Sequence, residues 1–349
     1  MSDQPFISVV MPVRNEGNFI ERSLRSVVKQ DYPRDRFEVI VADGMSDDDT
    51  REIVSRVEGD ANVRLIDNPG KIVATGLNLA IHDAKGDVIV RVDGHCQIAP
   101  DYIRHCAELL QTSDAECVGG NLETVGETRR ARAIAAALSS RFGVGGSTFR
   151  VGSTEQRYVD TVAFPGYKRE TLRRLGDFDE ELVRNQDDEY NYRLRKAGGL
   201  ILLSPSIQAR YYSRATFTSL CKQYFQYGYW KVRVLQKHPR QMQLRQFMPP
   251  LGLLAILLLL LLAPFTKVAV LGISAALVFY LLALSLASIT MTRRLGWLIV
   301  LLPPAFVAIH FSYGFGFVCG IIKFSNRWAS AMTKVNATTE TASLAADAD

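Results

Sequence analysis

Apolar runs in the second half of the chain constrain its fold more than any other feature. Residues 251–265, 268–289 and 296–322 are almost entirely apolar, and a helix needs about 20 such residues to cross a bilayer. No acidic residue occurs from residue 190 to residue 339, while arginine and lysine flank the apolar runs. Because this pattern is typical of segments that face anionic lipid, the net charge of +5 indicates a membrane partner and not nucleic acid.

The last apolar run decides how many times the chain crosses the membrane. Arg293 and Arg294 precede it and favour a cytoplasmic loop, which gives three crossings with the N-terminus inside. Pro303-Pro304 and His310 divide the run, so one long tilted helix and two half-helices that fold back are both compatible with it. The first residues lack the basic start and long apolar core of a secretory signal, so we expect the N-terminal region in the cytoplasm.

An aromatic and basic segment lies before the first apolar run. Residues 217–234 interleave aromatic side chains with Lys222, Lys231 and Arg233, as an interfacial amphipathic helix does; a core helix with a few exposed lysines is the alternative. The expected regions are an α/β domain at 1–210, an interfacial helix at 211–246, about three spans at 247–325 and a polar tail at 326–349.

The first half of the chain alternates strand-like and helix-like segments. The strand-like runs are residues 6–11, 37–42, 63–66 and 88–92, and helical patterns occur at 20–27 and 73–84. This alternation predicts an α/β fold with a doubly wound, mainly parallel sheet and right-handed crossovers. Sheets of this kind bind their ligands outside the carboxyl ends of the strands.

Residues that could take part in binding or catalysis cluster at those strand ends. They are Pro12, Arg14 and Glu16 after the first strand, Asp43 after the second, Asp93 and His95 after the fourth, and Asp187 at the start of a later helix. A carboxylate and an imidazole on either side of Gly94 can converge on one divalent ion, which would neutralise a diphosphate leaving group. A polar strand-to-loop turn is the plainer alternative for this tripeptide.

Four motifs in this order resemble those of family 2 glycosyltransferases with the GT-A fold, inverting enzymes that use nucleotide sugars. They are Pro12-Val13-Arg14-Asn15-Glu16, Asp43 with Ser46 and Asp48, Asp93 with His95, and Gln186-Asp187-Asp188. The chain is most similar to the membrane-attached bacterial members that build exopolysaccharide, such as the glucosyltransferases of succinoglycan. The resemblance covers roughly residues 6–203 as the catalytic domain.

The resemblance implies a role for each polar residue. The first loop of the family cradles the nucleotide, which corresponds to Pro12, Arg14 and Glu16 here. The family's acid after the second strand hydrogen-bonds the uracil ring, and Asp43 occupies that place. Lys71 stands where the family often has a basic residue near the nucleotide; a solvated loop lysine is an equally good interpretation.

The family's metal motif, Asp-x-Asp, corresponds to Asp93 and His95, and Asp93 also counts among the donor-binding residues. The imidazole of His95 is a competent ligand for Mn²⁺ or Mg²⁺ but favours Mn²⁺, since Mg²⁺ prefers oxygen. Asp187 stands where the family has its catalytic base, with Gln186 in place of the usual glutamate. Inverting transfer needs one carboxylate that takes the proton of the acceptor hydroxyl.

These expectations define a function. We expect transfer of a single hexose, with glucose favoured, from a UDP-sugar to a lipid-linked (polyprenyl diphosphate) oligosaccharide in exopolysaccharide biosynthesis at the bacterial inner membrane. Residues 223–230 lack the arginine of the processive Gln-x-x-Arg-Trp motif, which favours single transfer over polymerisation. A polyprenyl-phosphate or glycolipid glycosyltransferase and a non-catalytic nucleotide-sugar-binding scaffold are the alternatives.

Overall fold

A computed structural model describes residues 4–57, 62–291 and 295–328. The chain divides into two compact units. The first comprises Met1–Thr216 with Met291–Leu302, and the second comprises Phe217–Thr290 with Pro303–Asp349. The predicted polar tail lies, from residue 329 onward, outside the described residues.

The first unit alternates strands and helices. Its strands are β1 (Ile7–Val13), β2 (Phe37–Asp43), β3 (Val63–Asp67), β4 (Val88–Arg91), β5 (Cys96–Ile98), β6 (Cys117–Val125), β7 (Arg157–Tyr158), β8 (Ala163–Lys168) and β9 (Ile201–Tyr212). Its α-helices are α1 (Ile20–Val28), α2 (Thr50–Val57), α3 (Val73–Asp83), α4 (Tyr102–Thr112), α5 (Arg129–Leu138), α6 (Arg141–Val144), α7 (Thr148–Val151), α8 (Arg169–Leu175) and α9 (Gln186–Lys196). Short 3₁₀ helices occupy Arg34–Arg36 and Gly296–Leu301.

These strands form one sheet in the order β3-β2-β1-β4-β8-β6-β9-β5, with β7 paired to β9. The first four strands are parallel, as the sequence predicts. The other half of the sheet is mixed, because β8 runs antiparallel to both β4 and β6, while β6 and β9 are parallel. The α/β fold class is therefore confirmed, and the antiparallel strands are an addition to it.

Two apolar cores lie on the two faces of this sheet. Side chains of α1, α2 and α4 pack on one face, and side chains of α3, α8 and α9 pack on the other. Every residue of β1 and β2 is buried. Strands covered on both faces consist of nearly continuous apolar residues, which explains why the runs at 6–11 and 37–42 are recognisable in the sequence.

The strand register brings the predicted polar residues to one edge. Val13 of β1 pairs with Asp43 of β2, which in turn pairs with Asp67 of β3. On the other side of β1, Val10 pairs with Arg91 of β4. β1, β2 and β3 therefore end at the same level, while β4 ends beside Val10, before the end of β1. The loops after all four parallel strands leave the sheet at its carboxyl edge.

The second unit is helical. It contains α10 (Phe217–Lys237), α11 (Leu244–Leu262), α12 (Lys267–Ile289) and most of α13 (Leu302–Lys323). Three segments of the described chain are long and apolar enough to cross a membrane, namely Leu244–Leu262, Lys267–Ile289 and Gly296–Lys323. Pro303 and Pro304 lie in the first turn of α13, where proline is tolerated. The α-helix continues from Leu302 through His310 to Lys323, and Gly296–Leu301 before it is a 3₁₀ helix.

Glycines bring α10 and α13 into direct backbone contact within this unit. A Cβ atom on Gly228 would lie 2.0 Å from a carbonyl oxygen of α13, and one on Gly316 would lie 2.0 Å from a carbonyl oxygen of α10. Lys231 and Arg233 of α10 are only 2% and 8% exposed. The helix that we interpret as interfacial therefore buries two of the three cations on which that interpretation rests.

Candidate active site

The loops after β1 and β2 are held together by side-chain hydrogen bonds to backbone amides. The amide of Asn15 donates to Ser46 Oγ at 2.9 Å, and the amide of Gly17 donates to Asp48 Oδ2 at 2.9 Å. Burial works to raise the pKa of Asp48, but hydrogen bonds from Thr50 and Gly17 outweigh it and hold that pKa below its ordinary value. Asp48 thus fastens the first loop to the start of α2.

Asp43 is fully buried beneath these loops. Its carboxylate accepts hydrogen bonds from Arg51 Nη1 at 2.7 Å and from the Ser46 amide at 3.0 Å. Arg51 also donates to Asp67 at 2.8 Å. The residue predicted to bind uracil is therefore engaged with protein partners, and a bound base reaches its carboxylate only if Arg51 or Ser46 moves.

Two exposed cations stand beside each other at the same edge. Arg14 follows β1 and Lys71 follows β3, and Arg14 Nη1 lies 3.5 Å from the carbonyl oxygen of Lys71. Pro12, by contrast, is a buried residue of β1, and a Cβ on Gly76 of α3 would lie 3.3 Å from its Cβ. The structure therefore places Arg14 and Lys71 where an anionic ligand can reach them and Pro12 in the core.

Three residues of the loops after β1, β2 and β3, and Asn185 before α9, have left-handed backbone conformations. Their φ angles are 55° at Asn15, 56° at Met45, 62° at Lys71 and 64° at Asn185. Non-glycine residues with positive φ are uncommon and cost free energy, and they cluster at ligand-binding and catalytic sites. The strain is consistent with loops that are shaped to contact a ligand.

Asp93 is bound by a buried arginine that sequence reasoning did not single out. Arg91 Nε donates to Asp93 Oδ1 at 2.9 Å, and Arg91 Nη2 donates to Asp93 Oδ2 at 3.2 Å. Burial works to raise the pKa of Asp93, but the charges of Arg91 and His95 outweigh it and hold that pKa below its ordinary value. Asp93 is consequently an ionised, firmly oriented carboxylate.

His95 is oriented by the first loop. Its Nδ1 lies 2.7 Å from Glu16 Oε1, and its ring lies edge-on to Tyr211 at 5.2 Å between centroids. A larger residue between Asp93 and His95 would displace Glu16, because a Cβ on Gly94 would lie 2.9 Å from Cγ of Glu16. Glu16, predicted to cradle the nucleotide, thus contacts the predicted metal ligand.

Asp187 lies at the start of α9, where the sequence predicts it, and is partly buried. Its Oδ1 accepts a hydrogen bond from the Asp188 amide at 2.9 Å. Burial works to lower the pKa of Arg91, but the charges of Asp93 and Asp187 outweigh it and raise that pKa above its ordinary value. Among the described ion pairs Arg91 is joined to Asp93 and not to Asp187, so Asp187 influences this guanidinium only from a longer distance.

Comparison with known proteins decides the family. A model described as "Glycosyl transferase family 2" matches residues 8–176. The succinoglycan biosynthesis protein ExoA of Rhizobium meliloti is 32% identical over 244 residues, which cover 69% of this chain and 73% of that protein. The chain belongs to glycosyltransferase family 2.

Two further glycosyltransferases match most of the chain. A dolichyl N-acetyl-α-D-glucosaminyl phosphate 3-β-D-2,3-diacetamido-2,3-dideoxy-β-D-glucuronosyltransferase of Methanococcus voltae is 27% identical over 329 residues, which cover 91% of this chain and 98% of that protein. The structure of the mannosyltransferase PcManGT from Pyrobaculum calidifontis, in complex with GDP-Man and Mn²⁺, matches with a TM-score of 0.56 and 20% identity over 88% of each chain. The latter likeness confirms the GT-A glycosyltransferase fold.

The donor atoms of this family 2 glycosyltransferase fit a divalent cation that is shared with a ligand. Within the described residues, no group of three or more His, Cys, Asp and Glu side chains could enclose a metal ion. Asp93 and His95 provide an oxygen and an imidazole nitrogen, a combination that suits Mn²⁺. Glu16 occupies Nδ1 of His95, which leaves Nε2 for the metal, and carboxylates commonly support metal-bound histidines in this way.

Sequence reasoning missed Arg91 and Arg51. Arg91 ends a strand that is otherwise apolar, Val88–Arg91, and a charged residue in such a strand needs a buried partner. That signal was available in the sequence. Arg51 lies on α2 among other charged residues, and no pattern there distinguishes it from a solvated helix residue.

Proposed function

We propose that this glycosyltransferase transfers a single hexose from a UDP-sugar, with UDP-glucose the first donor to test, to a lipid-linked oligosaccharide, and that it inverts the anomeric configuration. One observation carries the proposal. The predicted cation ligands come together at the carboxyl edge of the sheet, where the buried Arg91 binds both oxygens of Asp93 and Glu16 of the loop after β1 lies 2.7 Å from Nδ1 of His95.

The loops at this edge provide the donor site in our proposal. Arg14 and Lys71 are exposed cations on neighbouring loops, and they attract the diphosphate. Pro12 of β1 pairs with Ala42, the residue before Asp43 in the neighbouring strand. Asp43 is buried beneath the second loop, and it serves the uracil ring through Arg51, or directly once Arg51 or Ser46 has moved. Glu16 acts on the donor through His95, which it orients.

Asp93 and His95 hold the divalent cation, Mn²⁺ in preference to Mg²⁺. When bound, the cation neutralises charge on the diphosphate leaving group. Asp93 is prepared for this role because Arg91 keeps it ionised and fixes the plane of its carboxylate. Each carboxylate oxygen has a further lone pair after its hydrogen bond to Arg91.

Asp187 takes the proton of the acceptor hydroxyl. The acceptor oxygen forms a bond to the anomeric carbon while the bond from that carbon to the diphosphate oxygen breaks. The bonding electron pair leaves with UDP, and the proton passes to the carboxylate of Asp187. A single displacement of this kind inverts the anomeric centre and needs no covalent sugar–enzyme intermediate.

A lipid-linked saccharide is the acceptor that the remaining observations support. Three segments of the chain are apolar enough to cross a membrane, which would keep the catalytic unit beside a polyprenyl diphosphate carrier in the bacterial inner membrane, on its cytoplasmic side. The ExoA relative is named for succinoglycan biosynthesis, and the Methanococcus relative is named for transfer to a dolichyl phosphate-linked sugar.

Transfer assays in a defined bilayer test the proposal. The full chain in nanodiscs is incubated with Mn²⁺, a panel of UDP-sugars and GDP-mannose, and three acceptors, namely a polyprenyl diphosphate-linked saccharide, polyprenyl phosphate and a glycolipid. We expect transfer from a UDP-sugar to the first acceptor, with a β-linked product by NMR from the α-linked donor. GDP-mannose is in the panel because PcManGT was solved with it.

Three results would contradict parts of this proposal. Preference for polyprenyl phosphate or for the glycolipid would replace the proposed acceptor class. An α-linked product would exclude single displacement. Binding of a nucleotide sugar with neither hydrolysis nor transfer to any of the acceptors would identify a non-catalytic scaffold.

A further inference from the structure

Three arginines stand at the start of α5, where their charge does not favour the helix. The helix begins Arg129-Arg130-Ala131-Arg132, and all three arginines are exposed. The positive end of a helix dipole lies at the N-terminus, where acids stabilise the helix and cations do not. The first turn of α5 contains no acid, and Glu127 just before it pairs with Arg22 at 2.5 Å. The three positive charges therefore suit a partner outside this helix.

A short apolar helix packs against α5 within the same compact unit. It is the 3₁₀ helix Gly296–Leu301, and the guanidinium of Arg129 lies 5.2 Å from the centroid of the Trp297 ring. Leu298 is buried, whereas Trp297 and Val300 are 62% and 64% exposed. Tryptophan is enriched where membrane meets water, because its ring lies at the level of the headgroups. The exposed apolar side chains thus stand beside the cations of α5.

The position of this 3₁₀ helix in the chain relates it to a bilayer. α12, with 23 residues, precedes it, and α13, with 22 residues, follows it. At about 1.5 Å per residue, each is long enough to cross a hydrocarbon core of about 30 Å by itself. Neither needs the 3₁₀ residues for its crossing, so this segment reverses the chain at one surface of the bilayer. α5 contacts the segment and lies at the same surface.

We propose that the exposed arginines of α5 bind the phosphate groups of anionic phospholipids, while the exposed side chains of the 3₁₀ helix enter the interfacial layer. The residues of this lipid-binding face, which we call the α5 face, are Arg129, Arg130, Arg132, Trp297 and Val300. The cytoplasmic leaflet is anionic and attracts basic segments beside membrane spans, which fits a catalytic unit in the cytoplasm. This lipid contact requires that the apolar segments span the membrane, and it is independent of the chemistry of the transfer.

The α5 face differs from the segment that the sequence presents as interfacial. α10 buries Lys231 and Arg233, two of the three cations on which that interpretation rests. The α5 face exposes all three of its arginines. Cations bind headgroup phosphates only where lipid can reach them, so the exposed arginines of the catalytic unit are the better candidates for contact with the membrane surface.

Selectivity for anionic lipid tests the arginines. The full chain is reconstituted in phosphatidylcholine bilayers without acceptor, with a trace of spin-labelled phosphatidylglycerol or spin-labelled phosphatidylcholine. Electron paramagnetic resonance gives the fraction of each label held at the protein, and the ratio of the two association constants is the lipid selectivity. One arginine near the surface contributes about a 5-fold preference for an anionic lipid that it contacts.

The variant Arg129→Gln/Arg130→Gln/Arg132→Gln removes the three charges together. We expect its lipid selectivity to fall about 2–5-fold below that of the wild type, since only part of the surrounding lipid contacts the α5 face. About 1 M salt should lower the selectivity of the wild type and narrow the difference between the two proteins, because it screens exposed charges.

A matched variant loses the same charge elsewhere in the catalytic unit. Arg173, Arg195 and Lys196 are exposed residues of α8 and α9, and Arg173→Gln/Arg195→Gln/Lys196→Gln removes three positive charges there. We expect this variant to keep the lipid selectivity of the wild type. Substitutions at exposed positions usually change stability little, and thermal unfolding of both triple variants checks that each is folded.

The depth of Trp297 provides a second readout that does not involve charge. The chain has three tryptophans, so Trp230→Phe/Trp328→Phe leaves Trp297 as the single fluorophore. Lipids brominated at different depths of the acyl chain quench its fluorescence according to their distance from it. We expect the strongest quenching from bromine closest to the headgroups and weak quenching by iodide in the water. Strong quenching by iodide with none from the lipids overturns the proposal.

The lipid-linked acceptor also carries phosphate, and a further measurement separates it from ordinary phospholipid. The KM for that acceptor is compared between the wild type and the α5 triple variant in bilayers of phosphatidylcholine alone. Arginines that serve the acceptor raise this KM when they are replaced and leave the lipid selectivity unchanged. That combination overturns the proposal.

The remaining outcomes are equally decisive. Lower lipid selectivity in the α5 triple variant but not in the matched variant, with Trp297 at the level of the headgroups, supports the lipid-binding face. Equal selectivity in the wild type and in both folded triple variants overturns it. Failure of the wild type to transfer any sugar counts against the proposed function alone, because the lipid measurements need no turnover.

Discussion

Replacement of Glu16 tests the idea that the first loop acts through His95. Glu16 Oε1 lies 2.7 Å from His95 Nδ1, and the two side chains are 18% and 16% exposed. A hydrogen bond to a charged group contributes about 1.5–3 kcal/mol, and a neutral one contributes roughly half as much. Glu16→Ala removes the bond and Glu16→Gln keeps a neutral acceptor, so the expected losses are about 1.5–3 and roughly 1 kcal/mol.

These free energies translate into affinities for the cation. We expect Mn²⁺ binding in the presence of saturating UDP to weaken about 10–150-fold in Glu16→Ala and about 5-fold in Glu16→Gln. Free Mn²⁺ is measured by electron paramagnetic resonance during titration of the full chain in nanodiscs. Glu21→Ala is the control, because Glu21 pairs with Arg25 on the exposed side of α1 at 2.8 Å.

The same titration distinguishes the two roles available to Glu16. If Glu16 contacted the nucleotide directly, as the family resemblance implies, Glu16→Ala would weaken UDP binding without metal by the same factor. If it acts through His95, metal-free UDP binding stays unchanged. If Glu16→Ala binds Mn²⁺ as tightly as Glu21→Ala does, Glu16 does not act through His95.

Three further predictions follow from the site and the packing. Asp187→Asn should lower the turnover number about 10²–10⁴-fold with little change in the KM for the donor, while Asp188→Asn should keep most of the activity in the same transfer assay. Gly228→Ala should destabilise the chain by about 1–3 kcal/mol, because the added Cβ would lie 2.0 Å from a backbone oxygen. Gly252→Ala is the control, because a Cβ there has no atom within 4 Å, and thermal unfolding in detergent compares the two variants. The folded state lowers the pKa of Asp48, so the ionised carboxylate stabilises the fold at neutral pH, and this stabilisation is lost as the pH falls below about 4. Asp48→Asn should therefore lower the melting temperature at pH 6 and change it much less at pH 3.

The sequence was sufficient for the parallel half of the sheet and insufficient for the rest. β1, β2 and β4 are buried, mainly apolar strands that alternate with amphipathic helices. This alternation predicts a parallel sheet covered by helices. β8 contains Pro165-Gly166, which indicates a turn when it is viewed alone. Tertiary pairing with β4 and β6 overrides that local signal.

The end of β9 carried a signal that sequence analysis did not use. From Ile207 to Tyr211 its residues are alternately buried and exposed, which is the period of a strand covered on one face. Pro205 precedes this stretch, and the nearby aromatic segment favours an interpretation as the approach to the membrane. The alternation at Ile207, Ala209 and Tyr211 was nevertheless present in the sequence.

The candidate site divides in a similar way. Strand ends could be located from the sequence, so Asp43, Asp93 and His95 were recognisable as edge residues. Their partners could not, because the pairs of Asp43 with Arg51 and of Glu16 with His95 join separate loops. Such pairs depend on how the loops fold over the edge, which no local pattern determines.

The position of Mn²⁺ in a complex with UDP tests the central claim most directly. Anomalous diffraction from crystals of the chain grown with Mn²⁺ and UDP locates the metal without assumptions about the protein. We predict one peak within coordination distance of Asp93 and His95 and of the diphosphate, with the carboxylate of Asp187 facing the same cleft. A metal bound elsewhere, or UDP bound away from the loops after β1, β2 and β4, would contradict the account.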